Sequence, residues 1–135
     1  MNSGKENNPR NPLLAVDALV RLDEGLVLIR RDNPPEGWAI PGGFVEYGET
    51  VEQAVRRELK EETGLELKNL LQWRVFSDPS RDPRQHVVSV VFQAEGKGAP
   101  RADSDARGVK IFQRENRPDC AFDHNKILEE AKDEN

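Results

Sequence analysis

The chain of 135 residues has one cysteine, one tyrosine and one methionine, and aromatic residues make up only 6% of it. A lone Cys120 excludes an internal disulfide, and with no export signal a reducing cytoplasm is the expected compartment. No apolar run approaches the roughly 20 residues of a membrane helix. The opening MNSGKENNPRNP lacks the apolar core of a signal peptide and reads as a flexible arm over 1–12, ahead of one domain over 13–135. Basic residues form no long run and net charge is −5, so neither a nucleic acid nor a membrane is expected as partner. An acidic chain can still bind a polyphosphate when metal ions carry the charge between them. Repeats, low-complexity tracts and dividing linkers are also missing. What remains is one highly charged domain of mean hydropathy −0.78.

Against that background the segment Gly43 to Leu65, GFVEYGETVEQAVRRELKEETGL, stands out. With about 100° per residue and Val51 at zero, Ala54, Val55 and Leu59 lie within roughly 80° and form a buried stripe. Glu58 and Glu62 fall inside that stripe, about 20° either side of Val51, and Glu61 lies at its edge. Buried carboxylates need a partner, because desolvation costs on the order of several kcal/mol per ion. The helix itself offers none, since Arg57 and Lys60 project elsewhere. Several hard carboxylate oxygens on one face suit Mg²⁺ or Mn²⁺. The plain alternative is a solvated acidic helix, but there the acids would oppose the apolar face. Thr50 with Gln53 forms a capping-box start, and Gly64 is a natural stop.

The segment resembles the Nudix box, G-x5-E-x7-R-E-U-x-E-E-x-G-U with U aliphatic. Gly43, Glu49, Arg57, Glu58, Leu59, Glu61, Glu62, Gly64 and Leu65 match it without gap or substitution. The resemblance implies an α/β (α+β) fold, an αβα sandwich with a mixed sheet between helices. It also implies metal ligation by the Gly42 carbonyl, Glu58 and Glu62, with Glu61 a further ligand or a water-positioning group. Asp105, with Asp103 behind it, is the loop acid placed to complete the shell. Catalytic roles fall to Glu58, Glu61 and Arg57: Glu58 is one candidate base, a downstream loop acid is another, and Arg57 with Glu49 braces the glutamates. Pro41-Gly42-Gly43 lets the backbone approach a ligand or take positive φ.

Around this box the pattern reads as strands over Leu14 to Leu22 and Gly25 to Arg31, turning at Asp23-Glu24-Gly25. A Pro-rich turn and a short strand Trp38 to Ile40 follow. After the helix from Val51 to Thr63 come strands Glu66 to Phe76, His86 to Glu95 and Val109 to Phe112, then a helix near Phe122 to Lys132. Arg31, at the end of the second strand, sits where related enzymes set an arginine against substrate phosphate. Arg81 and Arg84 flank a loop able to reach the same anion. His86 reads as a strand-edge histidine, and Trp38 and Phe122 as core.

SDPSRDPRQHVVSVVF and CAFDHNKIL resemble the small ADP-ribose pyrophosphatases of bacteria and archaea. Pro79 stands fourteen residues after Leu65, slightly short of the usual marker position, and ARGVKIFQREN lacks the aromatic and the Asp-Glu-Leu common there. The implied activity is Mg²⁺-dependent hydrolysis of ADP-ribose to AMP and ribose 5-phosphate, with Mn²⁺ as substitute. Alternatives are a pyrophosphohydrolase of oxidised nucleoside triphosphates and a nucleotide-sugar-binding domain without turnover. The expected partner is a small nucleoside diphosphate derivative. A homodimer is expected as well, with the arm and the Asp78 to Arg84 loop covering the neighbour's pocket.

Overall fold

The computed structural model describes residues 10–101 and 108–133. Strands β1 (Leu13–Leu22) and β2 (Gly25–Arg31) form the expected hairpin. Asp23 and Glu24 take left-handed φ of 52° and 64° in its turn, which matches the twist of the flanking strands. Two short strands follow, β3 (Gly37–Ala39) and β4 (Gly42–Phe44), then helix α1 (Val51–Thr63). Strands β5 (Glu66–Phe76), β6 (Val87–Lys97) and β7 (Gly108–Phe112) precede a 3₁₀ turn at Arg114–Asn116 and helix α2 (His124–Asp133).

α1 has the ends its sequence signals. Thr50 Oγ1 accepts from Gln53 N at 3.0 Å and Gln53 Oε1 accepts from Thr50 N at 2.9 Å, closing the capping box. Gly64 ends the helix at φ 75°.

The sheet runs β3-β2-β1-β6-β5, with β4 joined to β1 and β7 to β2. β1 lies parallel to β6 from Leu13↔Val87 to Arg21↔Glu95. The other edge of β1 is shared. β2 pairs with it only at Arg21 and Leu22, and β4 pairs antiparallel with Ala15, Val16 and Asp17. This divergence opens the sheet beside Asp17 and brings the glycines of β4 under α1.

Alternation along β1 sends Val16, Ala18 and Val20 to one face, where Ala54, Val55, Leu59 and Leu65 cover them. Leu19 joins Leu28, Ile40, Val91, Ile127, Leu128 and Ala131 on the other. The mixed sheet is thus packed between α1 and α2, the expected αβα sandwich.

Candidate active site

Two acids of α1 meet the glycines of β4. Glu62 Oε1 accepts the Gly42 N–H at 2.8 Å. A carbon added at Gly43 would overlap the Glu58 carboxylate, and one at Gly42 would overlap the Asp17 carboxylate and the Val16 carbonyl. Neither glycine has positive φ. Close approach is therefore the reason for both, and left-handed backbone is not.

Arg57 corrects the expectation that it projects away from the acids. Its guanidinium grips Glu49 through two bonds, Nε to Oε2 at 2.6 Å and Nη2 to Oε1 at 2.9 Å. Nη1 reaches Glu58 Oε2 at 3.0 Å and Glu61 Oε1 at 3.3 Å, and Nη2 also donates to the Phe44 carbonyl at 3.1 Å. A long side chain bends round the helix to its neighbours, so the direction of Cβ alone misplaced it. Lys60 does point elsewhere, toward Glu66 at 3.7 Å. The arginine contact holds Glu49 down at about 2.

Asp17 went unnoticed in the sequence. It is buried with Arg81, Ser89 and Asp123 on its side of the sheet. Burial pushes its carboxyl up to about 7 against the lowering effect of the Arg81 charge and the Ser89 hydroxyl. Glu62 goes up to about 8, again through burial first, opposed by the Gly42 N–H and reinforced by the charges of Glu58 and Asp17. Burial also raises Glu58, against the opposing pull of Arg57. The available signal was a single acid inside the apolar strand LLAVDALVRL.

Arg31, Arg81 and Arg84 line one cavity of about 90 Å³ together with Asp17, Gly42, Gly43, Phe122 and His124. Arg81 differs from the other two. Only 7% exposed, it forms a two-bond pair with Asp123, Nε to Oδ2 at 2.9 Å and Nη2 to Oδ1 at 2.8 Å. Its remaining nitrogen donates to Ser89 Oγ at 2.8 Å. The expected phosphate contact gives way to a brace in the cavity wall, because this buried guanidinium has every nitrogen engaged, whereas Arg84, also paired with an acid, stays 43% exposed. Phe122 is likewise corrected from core to cavity wall. His124, also missed, is buried with Nδ1 accepting the Ile40 N–H at 2.9 Å. A larger cavity of about 370 Å³ lies between the β1–β2 turn and the far end of α2, and none of the α1 carboxylates lines it.

The Glu58 and Glu62 carboxylates seated on Gly43 and Gly42 offer oxygen donors, which fits a hard divalent cation. Glu58 and Glu62, with the Gly42 carbonyl, would hold it. Glu61, 49% exposed and tied to Arg57, would have to swing in. Among the described residues no three acid, histidine or cysteine side chains form a ready cage. The expected ligand Asp105 and its neighbour Asp103 lie outside the described residues, as do residues 1–9 of the expected arm over 1–12. Among the described residues no helix is long and apolar enough to cross a membrane.

Residues 11–130 match the family model for the NUDIX domain. The chain is similar to an ADP-ribose pyrophosphatase of Methanocaldococcus jannaschii, 49% identical over 125 residues covering 89% of this chain and 73% of that one. A MutT/nudix family protein from Enterococcus faecalis superposes with TM-score 0.82 at 32% identity, over 94% of this chain and 63% of that chain. The NUDIX domain of Shewanella oneidensis NrtR, solved with ADP ribose, superposes with TM-score 0.80 at 28% identity over 99% of both.

Proposed function

The chain belongs to the Nudix family, and we propose that it is a divalent-metal-dependent pyrophosphohydrolase that cleaves ADP-ribose to AMP and ribose 5-phosphate. The observation that carries the reading is the seating of Glu58 and Glu62 directly on Gly43 and Gly42. That arrangement gathers hard oxygens where a diphosphate can lie against bare backbone. The similarity to an archaeal ADP-ribose pyrophosphatase and to a domain solved with ADP ribose supports the choice of substrate.

Glu58, Glu62, the Gly42 carbonyl, Glu61 and Asp105 are the proposed ligands of Mg²⁺, with Mn²⁺ as substitute. Such a cation neutralises diphosphate oxygens and acidifies a bound water. Glu58 is the candidate proton acceptor, since burial raises its affinity for a proton and a base must hold the proton it takes. Arg57 fixes Glu58 and Glu61 through charge-assisted bonds and is itself fixed by Glu49. Arg31 and Arg84 face the cavity as phosphate contacts. Water attacks phosphorus, the P–O–P bridge breaks, and each product leaves with one phosphate.

Product analysis across ADP-ribose, other nucleotide sugars, diadenosine polyphosphates and oxidised nucleotides tests this. AMP and ribose 5-phosphate from ADP-ribose, with ¹⁸O from labelled water on a phosphate, is the expected result. Preferred turnover of an oxidised triphosphate, or tight binding of ADP-ribose without turnover, would replace it.

A further inference from the structure

Phe122 stands at φ 59°, a conformation that a bulky residue adopts only when its surroundings enforce it. The enforcement is visible on both sides. Ala121 N donates to the Trp38 carbonyl at 2.9 Å, Trp38 bridges Cys120, and His124 is fixed to Ile40. The effect is to turn the Phe122 ring out of the core and into the cavity wall beside Gly42 and Gly43.

Two cations meet on that ring. The Arg31 guanidinium lies 4.9 Å from its centroid and that of Arg84 5.3 Å. They come from unrelated places, the end of β2 and the loop before β6. Arg31 is held by its Nε bond to the Pro35 carbonyl at 2.9 Å. Arg84 is held by the Asp82 carboxylate through Nε at 3.0 Å and Nη2 at 2.8 Å. Burial and the Arg84 charge lower the proton affinity of Arg31 against the opposing charges of Glu62 and Asp82, so the two cations repel each other at this site. The negative face of an aromatic ring offsets part of that repulsion.

We propose that Phe122 is a positioning residue that holds Arg31 and Arg84 together as a preformed clamp for one phosphate of a diphosphate substrate. This deepens the diphosphate reading above and rests on it. Without the ring the two cations separate, Arg84 moving toward solvent, and the cavity loses affinity for phosphate. The α1 carboxylates are untouched by that change.

The test uses Phe122→Leu, Phe122→Tyr and Phe122→Trp in the full chain. Inorganic pyrophosphate binding is measured by calorimetry without divalent metal, beside KM and kcat for ADP-ribose. Phe122→Leu should weaken pyrophosphate binding and raise KM at least about tenfold, roughly the sum of two ring–cation contacts. The fall in kcat should stay below about threefold, a loss of ground-state binding. Tyrosine and tryptophan should each restore both affinities, and either rescue serves if the leucine variant fails to fold. Unchanged pyrophosphate affinity in Phe122→Leu, or loss of it in folded Tyr and Trp variants, overturns the proposal. So does wild-type protein that does not bind pyrophosphate. A wild type that binds pyrophosphate in a Phe122-dependent way yet leaves ADP-ribose intact rejects the substrate reading alone.

Discussion

The backbone N–H of Ile40 donates to Nδ1 of His124 at 2.9 Å, a buried bond across 84 positions of sequence. It pins the start of α2 to the residue that leads into Pro41-Gly42-Gly43. The glycines under α1 are thereby positioned from both faces of the sheet.

His124→Ala should cost about 1–3 kcal/mol by leaving the Ile40 donor unpaired, and His124→Asn should recover part of that. Burial holds the imidazole down at about 4, from an ordinary 6.5. The unfolded chain therefore binds the extra proton between these values. The contribution is complete above about pH 6.5 and is lost as pH falls toward 4. Thermal melts from pH 4 to 7 on wild type and His124→Asn check this, and parallel curves would refute it.

Gly43→Ala should displace the Glu58 carboxylate, because the new methyl occupies its place. A rate loss of about 100-fold is expected, the scale of a 1 Å misplacement. Gly108→Ala is the control. Among the described residues its added carbon meets only Arg30 Cβ, at 3.7 Å, so activity should hold. Steady-state rates for the two variants decide the matter.

EDTA should abolish activity and Mg²⁺ or Mn²⁺ restore it. Glu58→Gln and Glu62→Gln should each lose at least about 100-fold in rate, the scale of removing a key electrostatic group. Near-normal turnover in both would remove these residues from the site.

Stability of the metal-free protein should fall as pH rises from about 4 to about 8, opposite in direction to the His124 effect. Glu62 and Asp17 have folded values of about 8 and 7 against ordinary values of 4.5 and 3.8. Their contribution is whole only while both states are protonated, and it is lost as pH rises through the folded values. Glu62→Gln should flatten the decline, and divalent metal should reverse it. Calorimetric scans with and without Mg²⁺ measure both.

A homodimer is expected, because a cavity of about 90 Å³ is well short of the roughly 300–1,000 Å³ of ligand sites. A second chain would supply the missing wall. Light scattering at assay concentration should give twice the chain mass, and full activity at monomer mass would refute it.

What was legible in the sequence follows from which interactions are local. α1 was readable to the residue because Thr50, Gln53 and Gly64 are signals within a turn of its ends. β4 was not, since Gly42-Gly43-Phe44 has no strand pattern and owes its existence to pairing with Ala15 to Asp17. The acids of the box were readable from their angle on the helix. Arg57 was placed wrongly by the same angle, because its reach exceeds the direction of its Cβ. Asp17, His124 and the Arg81–Asp123 pair escaped notice for another reason. Each acquires its role from a partner tens of residues away, and Phe122 turned outward through a backbone angle that composition does not reveal.

The parallel pairing of β1 with β6 also sets an order in time. Leu13 meets Val87 only after most of the chain between them has been gathered, whereas the β1–β2 hairpin and α1 close over short distances. Loop closure of that length slows folding toward the millisecond-to-second range on the order expected for sheets of distant pairing. The hairpin and helix should therefore form early, and the strand carrying Asp17 should gain its second neighbour late. Stopped-flow refolding would then show helical signal preceding recovery of metal binding, so that the site is among the last features of the molecule to mature.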